Sequence, residues 1–369
     1  MRKITHEMLQ KHVAPQVFDS GRSLFLWGGT GIGKSQGMMS FSKDRAEQKG
    51  LEFTTERGNY SEDTFGYLDV RLSQFAPEDI KGIPDISGNR TVWKIPDWYP
   101  ETGHGLLFFD EMNLATPVIQ AAAYQIILDR MLDKFPLPDG WACFAAGNRI
   151  EDRANVYEMA APLRNRFIHY ELTSPHPEAW IDWALAKGID TRIISFIKTK
   201  PNFLNISEQS KDQQAFATPR SWEMLSDVLA HVPASDKLGE ELYYNIIQAH
   251  GTGCVSSAVA ADFVMFLKFI QDLPVDDILN DPASYDLEDM RSDKLYALSS
   301  ALYTRFKPTE HHAKKFINVC RYVPQEYGVL MVRMVAKERK NRHALMKAAM
   351  DVSSQDFMER YAKLFGGGT

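Results

Sequence analysis

Apolar residues along this chain follow two rhythms, and the change falls near Pro175. Before it, short and wholly apolar runs stop abruptly at glycine or acid. Ser23-Leu24-Phe25-Leu26-Trp27 precedes Gly28, and Leu106-Leu107-Phe108-Phe109 lies between Gly105 and Asp110. Trp141-Ala142-Cys143-Phe144-Ala145-Ala146 follows the turn Pro138-Asp139-Gly140. Such runs predict central strands of a parallel sheet covered on both faces. Phe167–Leu172 predicts another strand, and residues 51–59 alternate well enough for the second strand in chain order. The stretch from Gly66 to Gly105 is rich in Gly, Pro and Asp, and within it Thr91–Ile95 suits one arm of a hairpin. Helices are expected over the first 20 or so residues, from Gln36 onward, and over Pro117–Asp129.

Beyond Pro175 the pattern is helical, punctuated by Pro and Gly. It predicts helices over Pro177–Lys187, Thr191–Thr199, Ser221–Ala230, Glu240–Ala249, Ser256–Gln271, Ser292–Thr304 and Arg333–Met350, with Gly366-Gly367-Gly368 as a frayed end. Strands alternating with helices in the first part point to an open, mostly parallel α/β sheet. No internal repeat or low-complexity linker interrupts the chain.

Composition narrows the class. At 369 residues, 44% hydrophobic and 24% charged, the chain has the makeup of a globular protein of two or three domains. No apolar run is long enough to span a bilayer, and Met1–Glu7 lacks a secretory core, so no membrane association and cytoplasmic residence are expected. Cys143, Cys254 and Cys320 are widely separated, which argues for three buried thiols over a disulfide framework or zinc site. The net charge of -6 weighs against a dedicated nucleic-acid binder. His311-His312 is followed by no acid or His at ligand spacing. The mixed-sign run Lys337–His343 reads as a solvated helix face.

The chemistry concentrates at Gly28-Gly29-Thr30-Gly31-Ile32-Gly33-Lys34-Ser35, a complete G-x-x-x-x-G-K-[ST] loop between a strand and a helix. Such a turn aims backbone N–H groups inward, where they cradle β- and γ-phosphates, and the positive helix end adds to the field. Lys34 adds a mobile charge, and the Ser35 hydroxyl reaches a magnesium ion. The second apolar run ends in Asp110-Glu111. Beside the loop strand, Asp110 would hold Mg2+ through its waters, and Glu111 would orient and polarise the attacking water. Asn148 ends the next strand and so faces the same crevice, where its carboxamide either positions that water or merely caps a turn.

Over roughly residues 20–230 the chain resembles the AAA+ ATPases. Gly28–Ser35 looks like Walker A, Phe108-Phe109-Asp110-Glu111 like Walker B, and Ala146-Gly147-Asn148 like the sensor-1 strand. Within that superfamily it is most similar to the MoxR/CbbQ-like branch. The similarity lies in Gly105–Ala115 with Gln120 and Leu128-Asp129-Arg130, in Leu137–Trp141, and in Ser61–Gly66. The resemblance implies a P-loop NTPase AAA+ core at 1–174 with an insert at about 66–104, an all-α lid at 175–237 and a helical C-terminal extension at 238–369.

It also implies further site residues. Pro162–Phe167 is similar to the family's Arg-Phe signature, which makes Arg166 the finger that enters a neighbour's ATP site, with Arg164 as reserve. Thr218-Pro219-Arg220 looks like sensor 2, so Arg220 would reach the γ-phosphate from the lid. Asn59 matches a polar residue that in many relatives restrains the catalytic Glu. The aromatic insert either lines a pore and grips a polypeptide or packs on the next subunit. The expected activity is hydrolysis of ATP with Mg2+ in a homo-oligomeric ring, a hexamer, that remodels a protein client. A partner with a von Willebrand factor A domain is the kind such relatives use. A nucleic-acid translocase and a nucleotide-gated scaffold that rarely turns over are the alternatives; the acidity disfavours the first and Glu111 the second.

Overall fold

The computed structural model describes residues 1–89, 91–149, 157–206 and 214–350; Gly366–Gly368 lie outside them. The chain divides into two compact units, Met1–Pro175 and from His176 onward. The first holds eleven strands among the described residues: β1 (Lys3–Ile4), β2 (Ser23–Trp27), β3 (Glu52–Thr54), β4 (Thr64–Arg71), β5 (Ile83–Asp85), β6 (Val92–Lys94), β7 (His104–Asp110), β8 (Met131–Leu132), β9 (Phe135–Pro136), β10 (Trp141–Gly147) and β11 (Phe167–Leu172).

Seven of these form one parallel sheet in the order β1-β11-β2-β10-β7-β4-β3. The chain leaves β2, fills the far side of the sheet, and returns to it through β10. Ligands sit where strand order reverses in this way, outside the carboxyl ends. β5 pairs antiparallel with β6 as a separate hairpin, and β8 with β9 as another.

Wholly apolar strands serve two cores at once, because successive side chains point to opposite faces. Phe25, Leu107, Phe109, Cys143 and Ala145 pack under the helix Pro117–Asp129 with Ile119, Ala122, Ala123 and Ile126. Leu24, Leu26, Leu106, Phe108, Phe144 and Ala146 pack under the helix Lys34–Lys49, contributing Met38 and Phe41, and under the N-terminal helical residues Leu9, Val13 and Phe18. Fully burying one such side chain stabilises by about 1.5–3 kcal/mol, so the central strands are the best-anchored part of this unit.

The strand beside β7 is β4, which the Gly- and Asp-rich sequence hides inside the expected insert. Thr64–Val70 is nonetheless buried on both faces except at Asp69. The strand expected over residues 51–59 shrinks to the edge strand β3. Asn59 therefore does not reach the carboxyl end of the sheet. It is exposed in the β3–β4 connection, where its side chain donates to Glu56 at 3.3 Å. The adjacent Tyr60 ring stacks edge-on against Trp141, the first residue of β10, at 4.8 Å. Seven residues of β7 put that end about 20 Å from Glu111.

The second unit is all helical among its described residues. Trp180, Phe196, Trp222 and Phe263 centre one core, which runs past residue 237 to Met334. Phe316, Met331, Val332 and Leu345 centre another. The helix expected over Arg333–Met350 is two, Gln325–Ala336 and Arg339–Ala349, with Glu338 extended between them. The Arg342 Nε donates to the Ala336 carbonyl at 3.0 Å and satisfies the end of the first helix. Helix Glu310–Tyr322 is one that the apolar pattern does not predict. Cys143 and Cys320 are buried as thiols, whereas Cys254 is only half-buried, short of the three buried thiols expected.

At the amino-terminal edge of the sheet, Gly66, Gly105 and Trp141 share one row of the ladder. The indole lies across both glycines. A β-carbon on Gly105 would meet the Gly66 carbonyl oxygen at 2.4 Å and the ring at 2.6 Å. Gly105→Ala should destabilise the protein by about 1–3 kcal/mol, because backbone cannot step aside. Urea unfolding followed by tryptophan fluorescence measures it, and an unchanged midpoint would refute this packing account.

Candidate functional site

The phosphate loop is built by backbone choices. β2 ends at Trp27, and the Gly28 N–H donates to the Gly147 carbonyl at 3.3 Å, tying the loop to β10. Gly31 (φ 74°) and Gly33 (φ 92°) are left-handed, a conformation side-chain-bearing residues rarely adopt. Gly33 precedes the helix Lys34–Lys49, so the first-turn N–H groups of that helix face the loop.

Lys34 is buried, and its ammonium is held at a defined point. It donates to Gly28 O at 2.7 Å, Gly29 O at 2.9 Å and Asn148 Oδ1 at 3.0 Å. Asn148 thus lies beside the loop, with its carboxamide engaged by the lysine. Ser35 Oγ donates to Asp110 Oδ2, joining the helix to β7. Asp110 Oδ1 in turn accepts the Glu111 N–H at 2.8 Å. Glu111 itself has φ 52°. For a residue with a β-carbon this costs about 1–2 kcal/mol, and such strain concentrates at functional sites. Its Oε2 accepts from Ser73 at 3.4 Å, so Ser73, just past β4, is the polar neighbour that Asn59 is not.

Three further residues belong to the site that sequence reasoning misses. Asn113 is 2% exposed and clasps β10: its Nδ2 donates to Asn148 O at 2.7 Å and its Oδ1 accepts Asn148 N–H at 3.1 Å. Gly147 permits the clasp, since a β-carbon there would stand 2.4 Å from Asn113 Oδ1. Asp69, on β4, has a buried Oδ1 without a hydrogen-bond partner. Burial first, and then the charge of Asp110, raises its pKa, while Arg71 opposes the rise. His6 lies under the loop, its Nε2 3.2 Å from where a Gly33 β-carbon would stand, and burial lowers its pKa. The signal for Asn113 is its place three residues after Asp110; Asp69 becomes legible only once β4 is recognised as a strand.

Oxygen ligands alone surround Ser35 and Asp110, which suits Mg2+, a hard cation that usually takes few protein ligands and keeps waters. Among the described residues no group of three or more His, Cys, Asp or Glu is arranged to hold a metal by itself. The orphaned Asp69 oxygen and its crowding by Asp110 fit a cation there. Ser35 and Asp110 would hold it together with phosphate oxygens.

This geometry decides the fold class. The fold is that of the P-loop NTPases. No protein-family model matches the chain, and no curated protein matches it. Solved structures are similar only faintly. The ADP complex of NtrX from Brucella abortus has 13% identity and a TM-score of 0.37, over 97% of this chain and 68% of that one. A point mutant of RuvB from Thermotoga maritima has 12% and 0.30, over 93% and 86%. AMPPCP-bound DnaA from Aquifex aeolicus has 14% and 0.29, over 97% and 90%. Likenesses this slight carry no argument, and the assignment rests on strand order and loop geometry.

The expected arginines lie elsewhere. Arg166 is exposed and directly precedes β11, whose first residue pairs with Ser23 at the start of β2. Arg164, also exposed, pairs with Glu158 at 3.4 Å, whereas Arg166 makes no ion pair among the described residues. Arg220 is in the second unit, exposed in the first turn of the helix Pro219–Leu229, which Thr218 and Ser221 cap reciprocally. No helix among the described residues is long and apolar enough to cross a membrane.

Asn113→Ala should cost about 2–4 kcal/mol, since it strands two buried backbone groups of Asn148. With Asn148 loosened from Lys34, affinity for a fluorescent ADP analogue should fall about tenfold, a loss of about 1.4 kcal/mol. Fluorescence titration of the folded variant tests this, and wild-type affinity would show that the clasp does not support the loop.

Proposed function

We propose that this protein is an AAA+ ATPase of the MoxR/CbbQ-like kind that hydrolyses ATP with Mg2+ at sites shared between adjacent copies in a ring, and uses the cycle to remodel a protein client. The observation that carries the reading is the position of Arg166. It is a guanidinium with no ion pair among the described residues, at the amino-terminal edge of β11, while the phosphate loop lies past the carboxyl end of β2. Four residue steps of strand separate those edges by about 13 Å, before the loop is even reached. Arg166 is thus poorly placed to serve its own loop and well placed to serve a neighbour's.

In this reading the glycine-loop N–H groups and Lys34 bind the β- and γ-phosphates. Ser35 and Asp110 would hold Mg2+, which would supply neutralisation of phosphate charge. Glu111 takes a proton from water as the water oxygen bonds to the γ-phosphorus and the bond to the ADP oxygen breaks. Asn148 fixes Lys34 and faces the same water. Arg166 of the adjacent copy steadies the phosphoryl oxygens, a role worth about 10³–10⁵ in rate where an arginine acts in this way. Arg220 couples nucleotide state to the lid, residues 175–237.

The client-gripping element is the β5–β6 hairpin. Ile83 (66% exposed), Ile86 (78%) and Val92 (43%) leave its surface apolar, whereas Trp98 and Tyr99 of the same insert are buried in the core. Trp98 and Tyr99 are therefore structural, and the exposed aliphatic side chains, with the half-buried Trp93 of β6, are left to meet the client. A partner with a von Willebrand factor A domain fits the resemblance.

Two outcomes are expected. Glu111→Gln should bind ATP with affinity near wild type and lose turnover by at least about a hundredfold, within the range for general-base loss; steady-state phosphate release would overturn the base assignment if the rate held. Arg166→Ala and Glu111→Gln should each be inactive alone. Mixed, they should recover ATPase activity, because sites then form with an intact Glu111 from one copy and Arg166 from the other. A mixture no more active than its components, in assemblies shown to exchange subunits, would refute the shared site.

A further inference from the structure

The second unit contains a cavity of about 810 Å³ that neither the nucleotide site nor the client reading uses. It is walled by the ends and beginnings of several helices: Gly188 after the helix Pro177–Lys187, Thr191 opening the next, Tyr303 near the end of Ser292–Arg305, and Asn341 in the first turn of Arg339–Ala349. Its volume is in the range of small-molecule sites.

Its polar groups are unequally satisfied. Arg192 is committed: Nε donates to both Asp190 carboxylate oxygens at 3.0 and 3.1 Å, and Nη1 donates to the Tyr243 hydroxyl at 2.5 Å. Glu338 accepts the Tyr303 hydroxyl at 3.1 Å. Thr191 (6% exposed) and Asn341 (5%) line the cavity, and neither side chain has a hydrogen-bond partner among the described residues. Their polar atoms are therefore open to a ligand in the cavity, with no protein group among the described residues competing for them.

Lys337 completes the set. Its half-buried ammonium makes no hydrogen bond or ion pair among the described residues, and burial lowers its pKa, with Glu338 opposing. It stands over Gly188, 3.0 Å from where a β-carbon would be, a position open only because that residue is glycine with φ 97°. Lys340 and Pro308 connect the cavity to a second hollow of about 750 Å³ lined by Arg339, Arg342 and His343. The run Lys337–His343, which reads as a solvated helix face in the sequence, thus forms a cationic entrance.

We propose that this cavity binds a small molecule carrying a phosphate monoester on a planar or apolar body. Lys337 and Lys340 would face the phosphate, Thr191 and Asn341 would supply neutral hydrogen bonds, and Tyr303 and Phe306 would flank the body. A phosphate monoester carries up to two negative charges at neutral pH, which match two ammonium groups, and lysine serves phosphate well as a point charge.

Pyridoxal 5′-phosphate is a suitable probe, because its aldehyde condenses with a lysine amine with loss of water and borohydride fixes the imine as a secondary amine. The experiment uses the full chain carrying Lys34→Ala, so that the phosphate loop does not capture the probe and failure of the ATPase reading leaves the result intact. Peptide mapping should find Lys337 labelled about tenfold faster than exposed Lys237 and Lys294, and inorganic phosphate should slow that labelling about tenfold. Equal rates, or labelling insensitive to phosphate, would overturn the proposal. Thr191→Val and Asn341→Leu should each weaken the protection by phosphate. If Asn341→Leu does not fold, Thr191→Val decides, and protection unchanged in a folded variant counts against the site. A single-stranded DNA 20-mer should not protect; protection by DNA but not by phosphate would replace the small-molecule reading with a polymer one.

Discussion

A buried ammonium is the constraint on which the first unit depends. Lys34 gives up most of its hydration, and a charge so placed is tolerated only where oxygen dipoles replace the lost water. Gly28 and Gly29 supply two carbonyls and Asn148 supplies the third oxygen. The loop must therefore curl back on itself, and β10 must end beside it. Left-handed glycines at 31 and 33 meet the first demand. The pairing of Gly147 with Trp27 meets the second. One side chain thus specifies the path of the loop and the neighbour of its strand together.

The Asn113 clasp extends the same logic to the third strand. Asn148 orients Lys34 only if its own backbone is fixed, and Asn113 fixes it through both donor and acceptor. Asn113 follows Asp110 and Glu111 through a tight turn that Glu111 enters with φ 52°. The strain at Glu111 and the clasp at Asn113 are two parts of one turn. The carboxylate is held in an unfavourable backbone conformation because the residues beyond it are tied to β10.

Legibility in the sequence follows burial. The runs 23–27, 106–109 and 141–146 are apolar on both faces, so β2, β7 and β10 announce themselves, and with them the loop and Asp110. Helices Pro117–Asp129, Pro177–Lys187 and Thr191–Thr199 are equally clear, because Pro and Gly mark their limits. β4 is hidden because Gly66 and Asp69 interrupt it, yet each has a physical reason: Gly66 makes room for Trp141, and Asp69 turns toward the phosphate site. A strand serving a site departs from a simple pattern at the residues that serve it. Asn59 fails for a related reason, since the alternation over 51–59 cannot say how long a strand runs before its partner leaves it. Nor can pattern alone separate a solvated basic face from a cavity entrance, because Lys337–His343 acquires its meaning only from Thr191, far away in the chain.

The direction of the parallel sheet connects these local facts to assembly. All strands begin at one edge and end at the other, so a residue just before a strand and a loop just after its neighbour lie at opposite edges. Arg166 and Gly28–Ser35 are related in that way through β11 and β2. No side-chain rotation closes the gap, because an arginine reaches only about half a strand's length and β2 is anchored on both faces by Phe25, Leu24 and Leu26. In the proposed reading, this exposed guanidinium, without a carboxylate partner among the described residues, would meet a phosphate presented from outside the chain. In the proposed assembly, a second copy would supply one at its own carboxyl edge. Repetition of such a contact would be heterologous, and it would close into a ring where the rotation between copies allows.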